Sequence, residues 1–313
     1  MATSTNQAIH VHNYGGPEQL KLEQVQRPAP QAGEVLVHVH AAGVNPVEWK
    51  IRQGLIKDFM PVLQFPYIPG VDIAGIVEEV GPGVTAFQKG QAVFGQSRRG
   101  AYAEYTAASV QTLALKPETL SFDEAAAIPV GATTAWQAVF DNGGLQAGQQ
   151  VLIQGAAGGV GLFAVQFAKW KGAHVIGTTS STNVDFVRSL GAETVIDYTS
   201  TVVEQAVHDV DLVVDTVGGK TLEQDLLVVK RGGTVVSIAG QPSQEKAQER
   251  GVHTAMFSAQ VSSELLQTFA QLIDEGRIKV AVARTFPLSE VQRAHELSQS
   301  GHGHGRIVLH IAD

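Results

Sequence analysis

The 313-residue sequence contains no cysteine. That removes disulfides, thiol catalysis and every thiolate metal site together, and it is compatible with a cytoplasmic location, which we expect. Charge is sparse at 17% of residues, and the formal net charge is −8. Basic residues never form a run, so no nucleic-acid partner is expected. No apolar stretch approaches the roughly 20 residues of a spanning helix, so no membrane partner is expected either. The opening MATSTNQAIHVHNYGG shows no positive start followed by an apolar run, which argues against a signal peptide. Repeats and low-complexity blocks are missing. So are a G-x-S-x-G elbow, an H-E-x-x-H pair and a Tyr-x-x-x-Lys pair, which leaves hydrolase, zincin and short-chain reductase chemistry without a motif.

Two styles of chain are present. Residues 1 to about 125 are strand-rich. In EVLVHVHAAGVN, Val35, Val37 and Val39 point one way, and Leu36, His38 and His40 the other. VDIAGIVEEV reads as a strand ended by Gly81-Pro82-Gly83. Near Ser121 the chain turns Ala-rich and helical, with Ser121 and Glu124 spaced as a capping box and Gly143-Gly144 as a stop. From Val151 short apolar strands alternate with helices, which predicts a parallel, doubly wound sheet. A helix over about 183–190 is capped by Thr182 with Asp185 in its first turn. The tail returns to mixed structure and ends in a strand, GRIVLHI. The expected architecture is α/β: a β-rich unit over 1–125 completed by 258–313, and a doubly wound unit over 126–257.

The strand VLI runs into Gly155-Ala156-Ala157-Gly158-Gly159-Val160-Gly161 and then a helix. Strand–turn–helix is the context a dinucleotide fingerprint requires. Glycines let amide N–H groups approach a pyrophosphate, and the helix start faces it with its positive dipole end. The spacing is G-x-x-G-x-x-G rather than G-x-G-x-x-G, and a tight turn in a ligand-free domain is the plain alternative. GGKT at 218–221 ends like a P-loop, but Val214 stands where its first glycine belongs.

In NAD-binding domains a carboxylate about 20 residues past the glycines holds the ribose 2′-OH. Here that slot, near Thr179, Ser180 and Ser181, carries hydroxyls. Hydroxyls can accept a 2′-phosphate that a carboxylate would repel, so NADPH is the expected cofactor. Arg188 is the nearest cation, with Arg306 more distant.

Five segments taken together resemble one family: AAGVNPVEWKIRQG (41–54), PGVDIAGIVEEVGPGV (69–84), AAAIPVGATTAWQAV (125–139), GAAGGVGLFAVQFAK (155–169) and GRIVL (305–309). They are similar to the zinc-free quinone oxidoreductase branch of the medium-chain dehydrogenase/reductase superfamily. The resemblance implies a GroES-like catalytic domain, a Rossmann NADPH-binding domain, a cleft between them and a homodimer. It implies zinc-independent NADPH-dependent reduction of quinones or activated C=C bonds such as enones, with a small apolar electrophile as partner. Asn45 and Val71 occupy slots that hold zinc ligands in zinc-dependent relatives, so no metal is expected there. By carry-over Asn45 and Lys50 are catalytic candidates, Asn45 facing the cleft and Lys50 donating to a carbonyl oxygen. Thr134 and Gly240 lie near the nicotinamide and Tyr198 near the adenosine phosphate.

Each has a plainer reading. Asn45 before Pro46 suits a turn, Lys50 an ordinary surface lysine, and Tyr198 the end of a strand. The H-x-H pairs His10/His12, His38/His40 and His302/His304 raise a metal question. Neither cysteine nor a clear carboxylate shell accompanies them in sequence, so no metal is expected at any of the pairs; His38 and His40, opposite the valine face, are expected to meet solvent and GHGHG to be a loop. Apolar residues at 48–67 and 240–260 (Trp49, Ile51, Leu55, Phe59, Tyr67, Met256, Phe257) fit a greasy acceptor or a core. Two rivals stay open: a 2-alkenal or enoyl-thioester reductase, and a non-catalytic NADPH-binding protein with a structural or redox-sensing role.

Overall fold

The structure, a computed structural model, describes residues 5–59, 62–301 and 303–313. Two antiparallel strands, β1 (Thr5–Val11) and β2 (Leu20–Gln26), form a separate ribbon. The first large sheet comprises β3 (Glu34–Val44), β4 (Asp72–Val80), β5 (Ala92–Gln96), β6 (Tyr105–Ser109) and β7 (Leu113–Leu115). Two late strands, β14 (Val282–Pro287) and β15 (Arg306–His310), join it, with β15 antiparallel to β3. The alternation in β3 works as expected on one side. Val35, Val37 and Val39 are fully buried with Ile73, Val77, Val93 and Leu309, and each such side chain contributes roughly 1.5–3 kcal/mol on leaving water.

On the other side the expectation for the histidines fails in part. His40 is only 6% exposed, because the helix α2 (Phe122–Ala126) lays Phe122 on it, with ring centroids 4.3 Å apart. His38 stacks on Tyr105 at 4.7 Å. This face of β3 is therefore covered rather than solvated at His40, and burial pushes the His40 imidazole below its usual pKa.

The second sheet is wholly parallel: β8 (Gln150–Gln154), β9 (His174–Thr179), β10 (Thr194–Asp197), β11 (Val210–Asp215), β12 (Val229–Ser237) and β13 (His253–Met256). Its spatial order is β10-β9-β8-β11-β12-β13. The chain winds outward from β8 to β10, then returns to the other side of β8 with β11. The carboxyl ends of β8 and β11 flank that reversal, which is where open α/β sheets bind ligands. Val151, Leu152, Ile153, Val213 and Val214 are all buried, as strands covered on both faces require.

Helix limits follow their caps. α2 starts on the Ser121–Glu124 box, with Glu124 N donating to Ser121 Oγ at 3.2 Å and Ser121 N donating back to Glu124 Oε2 at 2.9 Å. Further on, α3 spans Pro129–Trp136, α4 Gly161–Lys171 and α5 Val184–Ser189. The cap of α5 is Asn183, one residue later than expected, because Ser181–Asn183 forms a 3-10 turn and Thr182 bonds Ser180 instead. No helix among the described residues is long and apolar enough to cross a membrane.

Candidate active site

At the end of β8 the backbone reverses through Gly155, whose φ is +69°. A side chain there would meet Thr216 Oγ1 at 2.6 Å. Gly158 N donates to Gly155 O at 3.0 Å, and Ala156 N to Thr178 O at 2.9 Å, which ties the turn to β9. A Cβ on Gly161, the first residue of α4, would lie 2.2 Å from Gly155 O and 2.8 Å from Ala156 Cα. The helix start and the turn are thus packed closer than any side chain permits. Ala156 and Gly161 are buried, whereas Gly158, Gly159 and Val160 retain some exposure. This geometry fits a dinucleotide pyrophosphate, with amide donors at a helix N-terminus.

The floor of the turn is polar. Gln154 accepts from Thr178 Oγ1 at 2.7 Å and donates to Asp225 Oδ1 at 2.8 Å. Burial, with Asp215 and Glu204 nearby, raises the Asp225 carboxyl to about 8. Beside it, Asp215 at the end of β11 is fully buried and accepts from Val217 N, Gly218 N, Thr221 Oγ1 and Ser237 Oγ.

The loop after β9 holds Thr179, Ser180 and Ser181. Thr179 is 3% exposed, and its carbonyl accepts from Tyr198 N at 3.1 Å. The Tyr198 side chain is exposed. Strand pairing also brings in a group that sequence spacing misses. Asp197 aligns with Thr179, and its carboxylate accepts from Ser181 Oγ and Thr199 Oγ1, each at 2.6 Å. These bonds lower its pKa to about 2. Counting from the glycines stops at the β9 loop. A carboxylate does reach this loop, from the neighbouring strand. Arg188 is exposed and paired with Asp185 at 3.3 Å.

Arg306 lies elsewhere. It is 3% exposed and sits against the glycine turn, so that a Cβ on Gly159 would be 2.8 Å from its Nη1. Its Nη2 donates to Asn45 Oδ1 at 2.8 Å and Asp72 Oδ2 at 3.2 Å. Asn45, 2% exposed, caps α1 (Pro46–Arg52) and donates from Nδ2 to Asp72 Oδ2 at 3.0 Å and Glu48 Oε1 at 3.2 Å. Both ends of its amide are engaged inside the protein. Asp72 also accepts from Val130 N at the start of α3. Tyr102 donates to Glu48 Oε2, and His295 Nε2 lies 3.3 Å from the phenol oxygen. Burial dominates the acidities here. Glu48 rises to about 7 and Asp72 to about 6, and Arg306 offsets the shift at Asp72.

The remaining candidates are less connected. Thr134 on α3 is 7% exposed and donates to Val130 O at 2.6 Å. Lys50 on α1 is half-buried, its Nζ 5.6 Å from the Trp49 ring. Gly240 follows β12, with Leu222 Cδ1 3.0 Å from where its Cβ would be. Among the apolar candidates Phe59 is 88% exposed and Leu55 61%. Glu48, Asp72 and Tyr102 carried no signal of their own, although Asp72 closes the PGVD segment.

A resident zinc does not fit this pocket. Asn45 presents an amide whose atoms are already bonded, and Val71 has no donor. Asp72 is held by Arg306, Asn45 and Val130.

Comparison with known proteins accounts for both halves. The family described as alcohol dehydrogenase GroES-like domain matches residues 31–118, and that described as zinc-binding dehydrogenase matches 190–309. The mouse (Mus musculus) quinone oxidoreductase is 37% identical, covering 96% of this chain and 97% of its own. The 2-methylene-furan-3-one reductase of tomato (Solanum lycopersicum) is 34% identical over 95% of this chain and 77% of its own. The solved quinone oxidoreductase of Coxiella burnetii superimposes with a TM-score of 0.90 at 34% identity, covering 98% of this chain and 99% of that one. With a GroES-like β-rich unit, a Rossmann sheet and full-length relatives of this similarity, the chain belongs to the quinone oxidoreductase branch of the medium-chain dehydrogenase/reductase superfamily, an oxidoreductase family whose members bind a nicotinamide cofactor.

Proposed function

We propose that the protein is an NADPH-dependent reductase that passes a hydride to quinones or to activated C=C bonds such as enones, without zinc. The observation that carries this reading is the turn at Gly155–Gly161, closed to side chains at the reversal point of a parallel sheet and backed by the guanidinium of Arg306. When bound, the dinucleotide supplies the hydride. The chain's residues then hold it and exclude water. A quinone or enone is already electrophilic, so contact geometry and a donor near its carbonyl oxygen meet the chemical need.

In this reading the turn amides and Arg306 face the pyrophosphate, and Thr134 and Gly240 border the nicotinamide. Thr179, Ser180, Ser181 and Tyr198 surround the adenosine end. Lys50 is the donor to the acceptor carbonyl. Asn45 acts as a positioning residue, because its amide joins Arg306 to Asp72 and Glu48. The absence of cysteine and the residues at 45 and 71 support zinc independence. NADPH is favoured by the hydroxyls, and Asp197 moderates that preference. The β-rich unit runs over 1–125 and 258–313 and the Rossmann unit over 126–257. The protein acts as a cytoplasmic homodimer, to be checked by sedimentation.

A panel of quinones, enones, enals and enoyl thioesters, followed at the NADPH absorbance, tests the proposal. Turnover of quinones or simple enones supports it. Confinement to enals or thioesters moves the assignment to that reductase class, and tight NADPH binding without turnover of any acceptor defeats it. The name of the tomato relative is the reason to include enones with an exocyclic methylene.

A further inference from the structure

We propose that His10, His12 and Glu23, on the ribbon of β1 and β2, form a surface site for a divalent transition-metal ion of the zinc, nickel or copper class. Residues two apart on an extended strand project to the same side. His10 lies in β1 and His12 immediately follows it, so both rings rise from one face of the ribbon, with centroids 5.8 Å apart. β2 runs antiparallel, pairing Ala8 with Glu23 and His10 with Lys21. Glu23 is therefore the diagonal neighbour of His10 and reaches between the two rings. Its Oε2 is 2.9 Å from His10 Nδ1 and its Oε1 2.9 Å from His12 Nε2.

The three ligand atoms lie within 4.8 Å of one another. Bonds of about 2.0–2.2 Å to a tetrahedral ion place ligand atoms roughly 3.3–3.5 Å apart, so the gap closes with small side-chain rotations. Two imidazoles and one carboxylate suit borderline ions better than calcium or magnesium. The fourth position stays open to water. Exposure of 44% at His12 and 37% at Glu23 gives the ion access, while His10, at 20%, is seated deeper. The backbone beneath is held, because Ile9, Val11 and Leu20 are buried in the core.

The other histidine pairs lack this arrangement. His40 is stacked under Phe122 and its ring nitrogens have no partner. His304 meets the Asn183 amide at 3.2 Å, and His302 lies outside the described residues. Sequence alone leaves the carboxylate out, because Glu23 joins His10 and His12 only through the strand register. The site is separate from the hydride chemistry. It borders the acceptor loop, however, since Val11 N donates to Tyr67 O at 2.9 Å and Tyr14 packs on Phe65 at 5.0 Å.

The test is calorimetric titration of the untagged, chelator-stripped full-length protein with zinc chloride, repeated with nickel chloride. One equivalent should bind with a dissociation constant below a millimolar and raise the melting temperature. His12→Gln and Glu23→Gln should each weaken binding by more than about tenfold, the smallest loss expected even for outer partners of metal ligands. Both variants should keep the metal-free melting temperature and the NADPH-dependent turnover of the parent. Lys21→Ala should bind zinc at least as tightly, because it removes the cation opposite His10. Failure to bind zinc or nickel, or binding that survives His10→Gln/His12→Gln unchanged, overturns the proposal.

Discussion

The glycine turn and the polar cluster behind it meet at Arg306, yet they are built in opposite ways. The turn is made by seven consecutive residues, and its main feature is room: no side chain fits at Gly155 or Gly161. The cluster is made by side chains from the Asn45 cap and α1, β4, the segment before β6 and the last strand, and its main feature is mutual bonding, with Arg306 Nε left over. Asn45, Glu48, Asp72, Tyr102 and Arg306 are all buried and bonded to one another. A local backbone device can be read from spacing. A long-range side-chain device needs the fold before its partners are known.

If the cluster is the more demanding of the two, breaking it costs most. Arg306→Leu should destabilise the protein by about 3–5 kcal/mol in chemical denaturation, the usual penalty for stranding a buried carboxylate. The loss should be greater at pH 8 than at pH 5, because Asp72, already raised to about 6, can shed its charge at the lower value. Equal losses at the two pH values would mean that Arg306 is not what holds Asp72 ionised. For the turn, Gly161→Ala should abolish cofactor binding, read by fluorescence titration, and cost about 1–3 kcal/mol through overpacking. Normal binding by this variant would show that the turn has more slack than its contacts indicate.

The floor of the turn blurs the contrast, since it too hides a carboxyl. Asp225 has a folded pKa raised from 3.8 to about 8, so the native state holds a proton that the unfolded chain releases. Its contribution to stability is fully present below pH 3.8 and is lost as pH rises through about 8. Asp225→Asn keeps the bond from Gln154 and mimics the protonated acid. It should flatten that decline, so that the variant melts higher than the parent at pH 8 and above. The smallest effect belongs to the rim. Asp197→Asn should shift the ratio of KM values toward NADPH by about two- to fivefold, since exposed charge contacts are worth roughly 0.2–1 kcal/mol. No shift would place the carboxylate outside the ribose pocket.

Legibility follows the same division. The parallel sheet, the β-rich unit, the capping box at Ser121 and the turn at Gly155 were all readable, because each rests on period, punctuation or contiguous glycines. His40 was misread because alternation tells which residues share a face, and not whether α2 will cover that face with Phe122. Asp197 was missed because a count along the chain follows β9 and not its neighbour β10. Asn45 was singled out, but its bonds to Asp72 and Arg306 span 27 and 261 residues, and no local pattern records them.

Arg306 opens the last strand of the β-rich unit. Without that strand the guanidinium under the turn and the pairing partner of β3 would be lost together. Arg306 thus staples the glycine turn to the β-rich unit, touching Gly159 on one side and Asn45 and Asp72 on the other.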